Sequence, residues 1–407
     1  MPQQETKKRR SMFARKNTRR PPRQAAKGSD GAPAATGRMD LPFLILTILL
    51  TVMGLVMLFS ASFPSANYET GDPAYYLKRQ GLFALLGLAA MVVMSRINYQ
   101  RIRRYALLLM GLSFFLLVLV LIPGLGVTQN GATRWLGKVG VITFQPSEIA
   151  KLAVIVYFAD SISKKKTLME TFKYGIRPYM LVLGVYAILM LLEPHLSGTI
   201  LIVGTGVVLM IVGGIRKQWA LGGIAAVTAV GFTYVKLVES GIISYGANRI
   251  QMWKNPFIDP LDDGYQMCQS LIAIGSGGLT GVGLGKSRQK FLYLPEEHND
   301  FIFAVVCEEL GLIGAALVML VFALMILRGF WIALQARDRF GALLVVGIMT
   351  QIGLQTFFNI AVVTGFVPAT GISLPFFSYG GTALALQLFE MGIVLSVSRQ
   401  IPAPRGG

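Results

Sequence analysis

The chain has 407 residues, of which 54% are hydrophobic and 14% charged, and its formal net charge is +18. A mean hydropathy of +0.59 excludes a soluble globular domain of average composition. Long apolar stretches recur along the sequence, which predicts an all-α polytopic membrane protein. The two cysteines, Cys268 and Cys307, have no spacing typical of a disulfide framework or a metal site.

The positive charge could indicate a nucleic-acid partner, but its distribution argues against one. Basic residues concentrate in the first 38 residues and in short segments between apolar stretches, as signals for membrane orientation do. We therefore predict no nucleic-acid partner. Residues 1–38 are interpreted as a disordered, cytoplasmic basic tail, which either contacts anionic membrane lipids or has no partner.

Ten apolar segments predict ten membrane-spanning helices, which form one transmembrane domain at residues 39–400. The strongly basic segments are the tail, the segments after spans two, four, six and eight, and the short C-terminus at 401–407. The positive-inside rule therefore places both termini in the cytoplasm and the loops after odd-numbered spans outside. The approximate spans are 41–63, 81–95, 105–123, 147–162, 178–192, 196–213, 220–238, 301–327, 342–364 and 383–397.

The large outer loop between spans seven and eight combines glycines with cations. Residues 266–274 predict a short amphipathic helix at the membrane interface. Six glycines between 275 and 285 then precede Lys286, Arg288 and Lys290. A backbone that allows close approach, together with positive charge, suits a phosphate or pyrophosphate group, although such turns also occur with no ligand.

The stretch YLPEEHNDFIFAVVCEELGLIG, from Tyr293 to Gly314, places titratable groups where the chain enters span eight. Carboxylates within a span are costly and indicate a functional site by default. The later pair, Glu308 and Glu309, is interpreted as structural, with bonds inside the helix bundle or one side chain facing a polar cavity.

Three blocks carry a family resemblance: GYQMCQSLIAIGSGGLTGVGLGKSRQK, LPEEHNDFIFAVVCEELGLIG and PATGISLPFFSYGGTALALQL. With NGATRWLGKVGVITFQPSEIAKLA and EPHLSGTILI, they resemble the signature blocks of the SEDS family (shape, elongation, division and sporulation) over about residues 41–399. The family implies a ten-helix inner-membrane glycosyltransferase that polymerises lipid II into peptidoglycan beside a class B penicillin-binding protein. LPFFSYGG and the basic tail are similar to the division (FtsW) type, which implies septal localisation and other division proteins as partners; the RodA and SpoVE types stay alternatives.

The resemblance implies a catalytic residue. Lipid II polymerisation moves a sugar from a lipid pyrophosphate to a sugar hydroxyl, so it needs a base and cations or a metal ion. In the family the aspartate of an H-x-D-F motif is the catalytic residue, and the matching residue here is Asp300. Its alternative role is to cap span eight. Two positions depart from the family pattern, because His195 stands where aspartate is usual and Asn299 where threonine is common.

Further candidates surround Asp300 in the same stretch. Glu296 and Glu297 could hold a divalent cation, Mg or Mn, or shape a solvated loop. His298 could orient the substrate or Asp300, or be structural. Ser378, in the compact SYGG turn before span ten, is interpreted as part of a cavity wall.

The remaining substrate-binding candidates lie in the third loop and span four. Arg134 is an outer-face cation for pyrophosphate, or an interfacial anchor beside Trp135. Glu148 and Lys151 lie at i and i+3, which equally predicts a simple ion pair. The family resemblance places the matching positions near a central cavity, where Lys151 could reach a phosphate.

Two other functions compete with the polymerase. A lipid II flippase would need polar residues through the full depth of the membrane, and a non-catalytic scaffold would only recruit a transpeptidase. The polar candidates lie mainly on the outer side, which favours the enzyme, and an intact Asp300 argues against a pure scaffold.

Overall fold

The computed structural model describes residues 37–129, 132–138, 142–240 and 247–401. The predicted basic tail up to residue 36 and the C-terminal residues 402–407 lie outside the described residues. Within these ranges the chain forms thirteen α-helices and three short strands. The helices are α1 Leu41–Thr70, α2 Tyr75–Arg96, α3 Gln100–Arg104, α4 Ala106–Val120, α5 Pro146–Lys165, α6 Arg177–Leu192, α7 Leu196–Val212, α8 Lys217–Glu239, α9 Ala247–Lys254, α10 Tyr265–Gly277, α11 Ile302–Gln335, α12 Arg339–Val363 and α13 Gly381–Ser398.

Ten of these helices coincide with the ten predicted apolar segments: α1, α2, α4 to α8, and α11 to α13. Six helical segments are long and apolar enough to cross a membrane, namely α1, α2, the segment Phe172–Leu192 that ends with α6, α11, α12 and α13. Helices α4 and α7 are apolar but shorter. The chain is therefore a polytopic helical membrane protein, and the number of ten spans stays a prediction.

Local chemistry sets the start and end of α1. The Asp40 side chain accepts a hydrogen bond from the amide of Phe43 and so caps the first turn. The same carboxylate receives two bonds from the Arg328 guanidinium of α11, at 3.1 and 2.8 Å, which ties the two helices together. Gly71 ends α1 with a left-handed φ of 71°.

Helices α12 and α13 lie at the centre of the bundle. In an apolar stretch of 18 residues within each of these helices, 72% and 67% of the residues are buried. The corresponding value for α2, on the outside, is 28%. Helix α2 packs along α13, while α11 packs on both α1 and α12. The loops before α11 and α13 therefore meet at one end of the central helices, where polar side chains collect.

The polar loop between predicted spans three and four contains a small antiparallel sheet. Its strands are β1 Gly126–Gln129, β2 Ala132–Lys138 and β3 Ile142–Phe144, in the order β1-β2-β3. Val127 lies opposite Trp135, and Leu136 lies opposite Phe144. The strands have three to seven residues, which is too short for a clear alternating pattern, so the sequence did not predict the sheet.

The predicted helix in the large loop is confirmed as α10. It packs against α11, and its residues Cys268 and Ala273 are buried. The Ser270 hydroxyl donates to the carbonyl of Val363 at 2.8 Å. The loop also contains α9 and a 3₁₀ turn at Pro256–Ile258.

Helix α11 is interrupted at Gly311, where φ is 67° and ψ is −171°. The break frees main-chain groups, and the glycine-rich segment after α10 pairs with them. Val282 and Gly283 donate to the carbonyls of Glu308 and Glu309 at 3.0 Å, and further bonds run from residues 312 and 313 to residues 278 and 279. An added Cβ at Gly281 would lie 2.1 Å from the Glu309 carbonyl oxygen, so these glycines allow close chain packing.

Candidate functional site

Asp300 lies two residues before α11 and is half-buried. The side-chain amide of Asn359, in α12, donates to the Asp300 carbonyl and to the Ile372 carbonyl, both at 2.7 Å. An added Cβ at Gly371 would lie 3.6 Å from Asp300 Oδ2, so the carboxylate lies against the backbone of the loop before α13. Two loops and a central helix thus fix the position of one carboxylate.

The surroundings of Asp300 favour its protonated form. Burial is the main cause and the nearby Glu296 carboxylate adds to it, and together they raise the pKa of Asp300 to about 7. The main-chain amide of Asp300 and the neighbouring His298 act in the opposite direction. A carboxylate with a pKa near neutrality can both accept and return a proton under physiological conditions.

Ser378 holds the loop before α13 against the Asp300 segment. Its hydroxyl accepts from the amide of Leu374 at 2.7 Å and donates to the carbonyl of Asn299 at 2.6 Å. The amide of Tyr379 donates to the His298 carbonyl at 2.9 Å. Ser378 therefore positions the Asp300 segment through its backbone.

Gln80, from α2, joins the same framework. Its side chain donates to the Ser378 carbonyl at 3.2 Å and accepts from the Gly380 amide at 3.1 Å. The turn before α13 is thereby held from both sides.

The acidic residues before Asp300 have partners inside the protein. Glu297 is buried, accepts a hydrogen bond from the Ser65 hydroxyl of α1, and lies 3.2 Å from His298 Nδ1. Glu296 accepts from the side-chain amide of Asn299. In the part of the chain that is described, no three His, Cys, Asp or Glu side chains are grouped closely enough to hold a metal ion. The divalent ion stays a prediction.

A second polar cluster lies where the sheet meets α5 and the turn between α6 and α7. Lys151 is buried and its Nζ lies 2.8 Å from Glu148 Oε1. Arg134, in β2, donates to the carbonyl of Pro194. The charges of Arg134 and Lys151 both act on His195, whose pKa falls to about 3 mainly because the ring is buried. Arg134, Glu148 and Lys151 therefore share one neighbourhood, as their assignment to substrate binding requires.

Glu193 borders this second cluster and is almost completely buried. Burial raises the pKa of Glu193 to about 8, although the charge of Arg134 opposes the shift. At neutral pH the Glu193 carboxyl is therefore mostly protonated. The Arg134 guanidinium and the Lys151 ammonium group then give the cluster a net positive charge.

An apolar cavity of about 340 Å³ adjoins Glu148. Its lining comes from α2, β3, α5 and α13 and includes Phe83, Phe144, Thr382 and Phe389. The Thr382 hydroxyl donates to the Thr143 carbonyl at 3.4 Å, which joins the sheet to the start of α13. The cavity therefore brings an apolar surface next to the Glu148–Lys151 pair.

Polar groups continue from this pair into the bundle. Glu390, in α13, is fully buried and accepts from the Gln351 amide of α12 at 3.4 Å. The charges of Lys151 and Glu148 act on Glu390. The sequence placed the polar candidates mainly on the outer side and did not indicate this deeper pair.

The cations after the glycine-rich segment differ in burial and in their partners. Lys290 is buried, and its Nζ lies 2.8 Å from Glu309 Oε1 and 3.1 Å from the Ser60 hydroxyl of α1. Glu308 accepts from the amide of Arg288 at 2.8 Å, so both glutamates have the structural contacts predicted for them. Lys286 is exposed on the turn between these elements.

The structure thus brings together Asp300, Glu296, His298 and Ser378 in one cluster, and Arg134, Glu148 and Lys151 in a second. Lys290 belongs to a third, buried cluster with Glu309. Sequence reasoning missed Asn359, Gln80 and Tyr76, and it included Tyr379 only as a member of the compact SYGG turn. Three side-chain amides in one apolar span, Gln351, Gln355 and Asn359, could have indicated Asn359, whereas Tyr76 has no pattern that sets it apart.

These features define a polytopic helical membrane protein with a carboxylate-centred site at one end of its bundle and a cationic cluster beside an apolar cavity. The chain belongs to the cell cycle protein family that comprises FtsW, RodA and SpoVE, whose profile matches residues 40–402. The resemblance to the SEDS family is therefore confirmed.

Relatives match over almost the whole chain. Stage V sporulation protein E of Bacillus subtilis is 44% identical over 361 residues, which cover 88% of this chain and 97% of that protein. A Geobacter metallireducens protein named probable peptidoglycan glycosyltransferase FtsW is 42% identical over 364 residues, or 89% and 96% of the two chains.

Solved structures show the same fold. A chain from a peptidoglycan synthase complex, described as coordinating polymerization and crosslinking, matches with a TM-score of 0.73 and 28% identity and covers 89% of this chain and 98% of its own. The rod shape determining protein RodA of Thermus thermophilus matches with a TM-score of 0.65 and 27% identity, over 90% and 98% of the two chains.

Proposed function

We propose that the protein is a peptidoglycan glycosyltransferase that polymerises lipid II at the outer face of the bacterial inner membrane during septal wall synthesis. Both termini would then lie in the cytoplasm. The observation that carries the proposal is the position of Asp300, a half-buried carboxylate fixed by two loops and α12, with a pKa of about 7. Relatives that carry the activity in their name match nearly the whole chain, which supports the reaction class.

In the proposed reaction, Asp300 accepts the proton of an acceptor sugar hydroxyl as its oxygen attacks the anomeric carbon of the donor. The bond from that carbon to the lipid pyrophosphate breaks, and the pyrophosphate leaves with the electron pair. Because the leaving group is already stable as an anion, a second carboxylic acid is not required.

The second cluster suits the leaving group. Arg134 and Lys151 can stabilise negative charge on a pyrophosphate, and charge-assisted bonds of this kind are the strong ones. The apolar cavity beside Glu148 offers a surface for the polyprenyl chain of the donor. Lys286, exposed after the glycines, is a further candidate for phosphate contact, while Lys290 would first have to leave Glu309.

The proposed glycosyltransferase function implies partner proteins. A class B penicillin-binding protein would crosslink the glycan product, and other division proteins would recruit the pair to the septum. Support comes from the solved relative in a peptidoglycan synthase complex and from relatives of the FtsW type.

The test uses purified full-length protein, labelled lipid II and the cognate penicillin-binding protein. We expect glycan chains from wild type and none from Asp300→Asn or Asp300→Ala, with unfolding temperatures unchanged. The matched control is Asp72→Asn, which removes an outer-loop carboxylate paired with Lys78 at 2.7 Å and should leave polymerisation intact. Glycan chains from both Asp300 variants would remove this residue from the reaction.

A flippase is the second candidate, because polar groups reach the middle of the bundle at Gln351 and Glu390. Vesicles that contain the protein and labelled lipid II separate the two functions. Movement of the lipid between leaflets with no polymer formed would favour the flippase, whereas polymer that depends on Asp300 favours the glycosyltransferase.

A further inference from the structure

Four aromatic rings from three separate segments meet beside Asp300. Tyr75 and Tyr76 come from the first turn of α2, His298 from the segment before α11, and Tyr379 from the loop before α13. The Tyr76 ring lies 4.4 Å from the His298 ring, 4.8 Å from the Tyr379 ring and 5.3 Å from the Tyr75 ring, measured between centroids. All four side chains are half-buried, so each keeps some accessible surface. We call these four residues the aromatic wall.

Polar groups border the wall. The Arg79 guanidinium lies 5.2 Å from the centre of the Tyr75 ring and donates to the Tyr75 hydroxyl at 2.8 Å. Arg79 also bonds to Tyr379. The Tyr76 hydroxyl donates to Glu69 at 2.7 Å. A guanidinium and a carboxylate thus flank the apolar ring faces at this outer edge.

The wall and the proposed base share one framework. The amide of Tyr379 donates to the His298 carbonyl at 2.9 Å, and His298 precedes Asp300 by two residues. The charge of His298 acts on the Asp300 carboxyl. A group that rests against the wall would therefore be held close to the position where a proton is removed.

We propose that the aromatic wall is a saccharide subsite, which binds a pyranose ring of the acceptor and presents its hydroxyl to Asp300. The inference rests on the proposed function. The negative face of an aromatic ring attracts the C–H groups on one side of a sugar ring, while the hydroxyls at the sugar's edge need charged or polar partners such as Arg79 and Glu69.

The simpler alternative is that the rings only fasten three segments together. Replacing tyrosine by leucine removes the aromatic face in either case, but the two ideas predict different kinetics. Loss of a saccharide subsite raises KM for the acceptor and leaves kcat and the unfolding temperature almost unchanged. Loss of a fastening contact lowers the unfolding temperature and kcat together.

The experiment compares Tyr379→Leu, Tyr76→Leu and Tyr379→Phe with Tyr68→Leu as the matched control. Tyr68 lies near the outer end of α1 and is 79% exposed, outside the wall. We expect the two wall leucine variants to raise KM about fivefold to tenfold with kcat within about twofold. Tyr379→Phe keeps the ring and should stay within about twofold of wild type, as should Tyr68→Leu.

A binding measurement separates this inference from the proposed function. Saturation-transfer NMR with a soluble N-acetylated disaccharide, free of lipid and pyrophosphate, reports contact with sugar protons directly. Signals that the wall leucine variants lose and Tyr68→Leu keeps would support the subsite even if no polymerisation were found. Equal signals from all variants, or a fall in kcat and unfolding temperature with KM unchanged, would overturn it even in an active polymerase.

Discussion

The side-chain amide of Asn359 donates to the main-chain carbonyl of Asp300 at 2.7 Å. The same nitrogen donates to the Ile372 carbonyl, also at 2.7 Å. Asn359 is completely buried in α12, so one rigid residue sets the distance between the Asp300 segment and the loop that carries Gly371. The position of the carboxylate therefore depends on a group that need not touch a substrate.

We predict that Asn359→Ala lowers kcat by about tenfold to a hundredfold, because small displacements of a catalytic group have effects of this size. KM should change little, since the cationic cluster lies on other elements. Steady-state polymerisation kinetics measure both constants.

The matched control is Gln355→Ala. Gln355 lies one turn earlier in α12, and its amide donates to the Ser373 carbonyl at 3.1 Å, in the same loop but away from Asp300. Both variants should lose stability on the order of 1 kcal/mol, but Gln355→Ala should keep kcat within about threefold. Equal losses of kcat would mean that the loop as a whole, and not the position of Asp300, limits the rate.

The pH dependence of the rate should follow the ionisation of Asp300. A general base acts in its ionised form, so the rate should rise with pH through about 7, the pKa of Asp300. Glu296→Gln removes a nearby negative charge that raises this pKa. The ionised form is then favoured. The rising limb of the pH–rate profile should therefore move to lower pH by about half a unit to one unit.

His298→Gln supplies the opposite change. Because the charge of His298 lowers the pKa of Asp300, its removal should move the limb to higher pH. Rates measured from about pH 5.5 to about pH 8.5 give both shifts. A limb that stays in place in both variants would show that another group controls it.

Gly371 combines a left-handed backbone with contact to the carboxylate. Its φ is 71°, and an added Cβ would lie 3.6 Å from Asp300 Oδ2. We predict that Gly371→Ala costs about 1 kcal/mol of stability, because alanine is strained at positive φ. The methyl group would also exclude water from Asp300, raise its pKa further and lower the rate at neutral pH severalfold.

Gly365 provides the comparison. Its φ is 74°, and an added Cβ there would meet only Leu271 and Met267. Gly365→Ala should lose similar stability by thermal unfolding with an unchanged pH profile. A shifted profile in Gly365→Ala, or none in Gly371→Ala, would contradict direct contact with the carboxylate.

The predictable part of the fold follows from hydropathy, which depends only on local composition. Ten apolar segments indicated ten helices, but hydropathy ended the first span at residue 63, whereas α1 continues to Thr70 and ends at the Gly71 cap. The break at Gly311 could not be predicted in the same way. Its main-chain groups are paired with a segment about thirty residues earlier in the chain, and that pairing is a tertiary contact.

The candidate site also has residues that the sequence predicts and contacts that it does not predict. Asp300 could be identified because a carboxylate at a span is rare and because the family blocks surround it. The glycine-rich segment indicated a phosphate site by composition, but several of its glycines serve packing against α11. Composition reports which groups are present, whereas their partners depend on how distant segments meet.

Lys290 is the clearest case of a group whose presence the sequence shows and whose partner it does not. Its Nζ lies 2.8 Å from Glu309 Oε1, and both side chains are buried. Lys290→Met leaves a buried carboxylate without its cation, so we expect a loss of about 3 to 5 kcal/mol of stability. The double variant Lys290→Met/Glu309→Gln removes both charges and should recover most of the lost stability, as measured by thermal unfolding in detergent.

Lys286→Met, at an exposed lysine, should leave stability unchanged. If Lys290→Met unfolds like wild type but raises KM for lipid II, the lysine contacts pyrophosphate as the sequence suggested, and the buried pair is not its main role.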